Sequence, residues 1–341
     1  MIKNLTSLTI YNGTPLSAKY IFLGDQHIIN NDCDGISIDE LLKLIIIYNE
    51  QYHIPTDIYA EIHFTKSNQR KIIKEGNALK LLPNNINCFN KDKCYENVKL
   101  HYVDIRNIDI EQKIVSVDPF DLSTLKYLAN IDRISYGKII TIIKTIKDNY
   151  MNLLNFLLLP MDFNKINNFL QLDKAYSIVF KHINEHAVLR KIGTKEVRMT
   201  RTSATLFKLR NKNQPLFRKL LNFIYYKAES YMATVNFNDE IDLINLSGFT
   251  NNKEFLNNAL VSVDNKLLQL GALVMDTYTL GRMFTQTPSS EVIVYAGVKH
   301  IALYVEFFET LQLKPDFSIT NNDQCLYDDQ LLNYLDIDKY D

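Results

Sequence analysis

The chain has 341 residues, 46% of them hydrophobic and 23% charged. That is a globular mix, with ample surface to bury on folding. The 38 Lys and Arg against 39 Asp and Glu leave a formal net charge of -1, which removes any bulk electrostatic case for a nucleic-acid partner.

The first stretch, to about Asn107, alternates strand and helix signals. Leu8–Tyr11 and Tyr20–Leu23 read as short strands. Ser37-Ile-Asp-Glu40 is a capping box, in which Ser37 accepts from the Glu40 amide and Glu40 reaches back to the cap. It opens an apolar-periodic helix that runs to about Tyr52 and stops before Pro55. Asp57–Ile62 then reads as a buried strand, Lys66–Leu82 as a helix and Val98–Ile105 as a further strand. Strands alternating with helices predict βαβ units and a mainly parallel sheet.

The middle, Asp118 to Phe284, carries 3.6-residue periodicity over Leu122–Ile131, Tyr136–Leu159, Lys174–Lys191, Ala204–Thr234 and Phe255–Phe284. It shows few strand signals and reads as a helical insertion or cap. The first pattern then returns: Glu291–Ala296 is a strand, Gly297 follows, and a helix runs from about Lys299 to Leu311. The expected organisation is one α/β domain. Residues 1–117 and 285–315 form its core, 118–284 the insertion, and 316–341 an acidic, loosely held tail with at most a short helix at Asp329–Leu335.

Cys33, Cys88, Cys94 and Cys325 form no C-x-x-C pair and lie at no zinc-ligand spacing from a histidine. They read as reduced thiols of a cytoplasmic protein. The first residues lack a basic region followed by an apolar core, so no signal peptide is expected. The longest apolar runs fall short of the ~20 residues a membrane span needs. Richness in Ile, Asn, Lys and Tyr, with no Trp, points to an A+T-rich genome such as that of a large DNA virus.

The chemistry concentrates at the two ends. Tyr20-Ile-Phe-Leu-Gly24-Asp25-Gln26-His27 is an apolar strand ending in G-x-x-H, and Ile293-Val-Tyr-Ala-Gly297-Val298-Lys299-His300 repeats the pattern. Each Gly permits a sharp exit where a Cβ would be in the way. Each His then falls past the carboxyl end of its strand, the edge where open α/β sheets bind ligands. Glu61 sits at the end of another apolar strand, a costly place for an acid unless it is solvated, paired or bound. If the strands are neighbours, His27, His300 and Glu61 share one crevice.

These motifs resemble the superfamily that groups Tiki/TraB proteins, ChaN-like haem-uptake proteins and erythromycin esterases. The resemblance covers Tyr20–Phe64 and Asp276–Leu311, and the middle only in outline. It implies a hydrolase of an ester or amide bond, acting on a small-molecule or peptide substrate. Asp25, Glu61 and His300 map onto its acids and closing His, and Gly24 and Gly297 line the candidate ligand or cofactor edge. The family's helical Arg is replaced by Lys227, and Arg282, four residues from Tyr278 on one helical face, is the alternative cation. In a metal-free mechanism, His27 is the general base, held by Asp25 or Glu61, while His300 and Arg282 stabilise the oxyanion. In a metal-dependent one, His27, Glu61 and His300 hold a divalent ion with an open water position. The ChaN-like branch implies instead a haem-like ligand, and a third reading is an inactive viral structural or host-interaction protein.

Three other signals compete. His182-Ile-Asn-Glu185-His186 is an inverted zincin pattern, with His182 and His186 on one helical face as zinc ligands. Asp104 and Arg106 alternate on the strand that also carries His101, and His63 follows Glu61 on its face.

Overall fold

The structure, a computed structural model, describes residues 2–3, 5–12, 18–26, 35–63, 95–104, 135, 137–141, 144, 188–192, 195–199, 201–233, 253–285, 289–321 and 325–326. His27, His182, His186, Arg106 and the helices expected at Lys66–Leu82, Leu122–Ile131 and Asp329–Leu335 lie outside these residues. The chain divides into two compact units, residues 1–104 with 282–341, and residues 105–281.

The first unit is built on strands β1 (Ile2–Lys3), β2 (Ser7–Tyr11), β3 (Lys19–Asp25), β4 (Ile36–Ser37), β5 (Thr56–His63) and β6 (Val98–Asp104). Helix α1 (Ile38–Gln51) falls between β4 and β5. The capping box at its start is present: the Glu40 amide donates to Ser37 Oγ at 3.2 Å and the Ser37 amide to Glu40 Oε2 at 2.8 Å. Leu41, Leu42, Ile45 and Ile46 of α1 are buried with Ile21, Leu23, Ile58, Ile293 and Tyr295 on one face of the sheet.

The second unit begins its described strands with β7 (Val188–Ile192) and β8 (Lys195–Met199), an antiparallel hairpin. The expected helix over Lys174–Lys191 is therefore corrected at its end, where Val188–Lys191 is strand. Val188 and Ile192 are β-branched types that favour a pleated ladder, and the hairpin supplies backbone partners that a lone helical end lacks. Ala204–Thr234 is not one helix but two, α2 (Arg201–Lys212) and α3 (Gln214–Ala233). Pro215 has no N–H and cannot sit inside a continuous helix. Asn213 serves both ends: its amide donates to Leu209 O at 2.7 Å, and its Oδ1 accepts from the Leu216 amide at 3.0 Å, capping α3. Helix α4 (Lys253–Met283) is 31 residues long. Gly281 packs against α2, where an added Cβ would lie 3.2 Å from Thr205 Cγ2.

The chain completes the first unit with β9 (Glu291–Gly297), helix α5 (Val298–Thr310), β10 (Phe317–Thr320) and β11 (Cys325–Leu326). The main sheet has the order β10-β2-β3-β9-β5-β6, and a smaller one the order β11-β1-β4. Pairs β3–β9, β9–β5 and β5–β6 are parallel, while β2 runs antiparallel to β3 and β10 to β2. The fold is α/β, with a mainly parallel central sheet drawn from both ends of the chain. On the face opposite α1, Tyr304, Phe307 and Phe308 of α5 are buried. The Phe308 ring packs edge-on to Phe22 and to Tyr20, with centroids 5.0 Å apart in each pair.

Two expectations about the C-terminus are corrected. The segment after Asp316 is not wholly a loose tail, because β10 and β11 pair into both sheets. Phe317 and Ile319 pack against the core beside β2, which draws this short polar segment into the sheet. Cys325 is not a reduced thiol but disulfide-bonded, and its partner lies outside the described residues. Burial in β11 opposite Lys3 holds it beside the N-terminal strand.

Candidate active site

The two G-x-x-H strands are neighbours. β3 and β9 run parallel in unbroken register from Lys19↔Glu291 to Asp25↔Gly297. The motifs are staggered by one residue, so Gly24 faces Ala296 and Asp25 faces Gly297. On the other side of β9 lies β5, with Ala60 opposite Tyr295. The carboxyl ends of three adjacent parallel strands thus carry Asp25, Gly297 and Glu61.

Gly24 is required by a close approach. A Cβ there would overlap Ser7 Oγ and lie 3.2 Å from Val298 Cα and 3.3 Å from Ile301 Cγ1. The first turn of α5 therefore rests directly on the β3 backbone. Gly297 is different: with φ -56 and ψ 144 it occupies a conformation open to any residue. It is the N-cap of α5, without a side-chain cap bond.

Glu61 is tied to this helix start. Its Oε2 accepts the Gly297 amide at 2.8 Å. Its Oε1 lies 3.4 Å from Nε2 of His300, in the first turn of α5, with side-chain exposures of 7% and 10%. The buried carboxylate is thus compensated by an amide and an imidazole, which answers the cost of placing an acid there. Asp25, 5% exposed, accepts from the Tyr295 hydroxyl. The sequence-predicted residues Asp25, Glu61, Gly297 and His300 therefore gather at one edge of the sheet. His27 follows β3 by two residues and lies outside the described set.

Arg282, in the last turn of α4, meets β6. Its Nη2 lies 3.3 Å from Nδ1 of His101 on β6. His101 Nε2 lies 2.6 Å from Asp57 Oδ1 on β5. Asp57 Oδ2 accepts from the Ser289 hydroxyl, and the Tyr59 ring stacks on the imidazole with centroids 4.7 Å apart. Burial pushes the His101 pKa down, and the charges of Arg282 and Lys99 act in the same sense, outweighing Asp57. Burial alone pushes Asp57 up, but hydrogen bonds from His101 and Ser289, with Lys99 nearby, hold its carboxyl below the ordinary value. Asp57 and Ser289 were not legible as site residues. In the register Tyr59 faces His101 and Asp57 faces Lys99, so Asp57 meets the imidazole diagonally, which no spacing along one strand encodes.

Lys227, on α3, lies over the Phe223 ring with its Nζ 5.7 Å from the centroid. Tyr278 is buried in α4 at 3% exposure. His63 and Asp104 are register partners at the ends of β5 and β6. Among the described residues no group of three His, Cys, Asp or Glu side chains is disposed to hold a metal ion, and no helix is long and apolar enough to cross a membrane.

No protein-family model, no curated protein and no solved structure matches the chain.

Proposed function

We propose that the chain is a hydrolase of an ester or amide bond, with His300 as general base and Glu61 as the residue that orients it. The observation that carries this reading is the contact of Glu61 with both His300 and the Gly297 amide at the carboxyl edge of the parallel strands. An imidazole that donates from Nε2–H to this carboxylate carries its basic lone pair on Nδ1. A carboxylate beside an imidazole fixes its tautomer and stabilises the imidazolium formed when it takes a proton from water. The Gly297 bond holds Glu61 so that it cannot follow the ring away. His27, two residues beyond β3 in sequence, is assigned the second role, stabilising the developing oxyanion.

The metal-free form of this mechanism is favoured by the donor set. Both Glu61 oxygens already have protein partners, an amide on one and an imidazole on the other. An ion held through Nε2 of His300 and Oε1 of Glu61 would take the place of their contact.

The reading is tested with a panel of p-nitrophenyl esters and amides. Wild-type chain is expected to hydrolyse at least one of them, and His300→Ala and Glu61→Gln to lower kcat by about 100-fold or more, the usual worth of a positioned general base. Circular dichroism checks that both variants fold. Full activity in both folded variants would overturn the assignment.

A further inference from the structure

The Asp57–His101–Arg282 chain has no part in the proposed hydrolysis, yet its geometry is specific. Both imidazole nitrogens of His101 are engaged, one by a carboxylate and one by a guanidinium. A guanidinium only donates hydrogen bonds, so Nδ1 must be bare and the proton must sit on Nε2, donating to Asp57. The imidazole is therefore held neutral, with no nitrogen left for base catalysis.

The position matters as much as the chemistry. His101 lies on β6, three residues before Asp104, where the chain leaves the first unit, and Arg282 is the residue with which it re-enters. The hydrogen bond thus joins the departing strand to the returning end of α4.

We propose that His101 and Arg282 form a proton-operated clasp between β6 and the C-terminal end of α4, closed when His101 is neutral and released when it is protonated. Protonation puts an N–H where the guanidinium needs a lone pair, and adds a positive charge beside Arg282. Among the described residues the charged groups around the ring are Asp57 on β5, Lys99 on β6 and Arg282 on α4, with the Tyr59 ring stacked against it. Asp57 keeps its bond to Nε2–H in either state, so the Arg282 side is the one that opens.

The sign of the effect follows from burial. His101 is held below the ordinary imidazole value in the folded chain. Its contribution to stability is therefore complete above that ordinary value, about 6.5, and is lost as pH falls toward the folded value. The lowered Asp57 acts in the same direction over a lower window, below the ordinary carboxyl value.

Hydrogen–deuterium exchange on the full chain tests the clasp, at about pH 7.5 and about pH 5, with rates corrected for their intrinsic pH dependence. Exchange in peptides spanning residues 98–104 and 279–285 is expected to rise about tenfold on acidification, while β9 is unchanged. His101→Gln can accept from Arg282 and donate to Asp57 without titrating, so it should keep both peptides protected at both pH values. Arg282→Gln should leave 279–285 weakly protected at both. Equal protection of the wild type at the two pH values overturns the proposal, as does an acid-induced rise in His101→Gln matching the wild type. Should His101→Gln not fold, Arg282→Gln decides alone: a rise on acidification as large as the wild type's overturns the clasp.

Discussion

Gly24 and Gly297 occupy the same place in two copies of one motif, and at Gly24 the glycine is dictated by space. A side chain at Gly24 would meet the Val298 backbone, which cannot rotate away as Ser7 Oγ can. Gly24→Ala is therefore expected to cost about 1–3 kcal/mol, the scale of overpacking in a tight site, read as a lowered urea midpoint at unchanged slope. An unchanged midpoint would show that α5 does not rest on β3 as closely as the structure has it. Glu61 is the residue for which burial and chemistry agree best. An acid at a strand end was legible as costly, and the compensation came from Gly297 and His300, more than 230 residues away in the chain. The Asp57–His101 pair was not legible, since it depends on the register between β5 and β6 and crosses it diagonally.

At the scale of elements, local signals served where local physics decides. The capping box at Ser37 fixed the start of α1, because both reciprocal bonds lie within four residues. Ser37→Ala is expected to destabilise the chain by about 1 kcal/mol, while Ser37→Asp, which also caps, should lose much less. Thermal unfolding of the two variants checks this, and equal losses would count against the cap. Periodicity failed where partners decide. Val188–Lys191 continued a helical pattern but is paired in a hairpin, and β10 looked like polar tail until β2 offered it an edge. The break at Asn213 was within reach, since Pro215 stands where a continuous helix would need an N–H.

For the whole molecule, the mainly parallel sheet could be read from the alternation of strands and helices at both ends. Its strand order could not, because β9 enters between β3 and β5 from the far end of the chain. That insertion sets Asp25, Gly297 and Glu61 side by side on adjacent strand ends. The disulfide at Cys325 was likewise invisible, because none of the four cysteines has a motif spacing. In the proposed hydrolysis Glu61 acts through His300. A double-mutant cycle on the hydrolysis of a p-nitrophenyl ester tests it most directly. Glu61→Gln/His300→Ala is expected to be no slower than His300→Ala alone, since Glu61 has nothing left to orient. Losses that simply multiply, or a wild-type chain that hydrolyses none of the esters or amides offered, would contradict it.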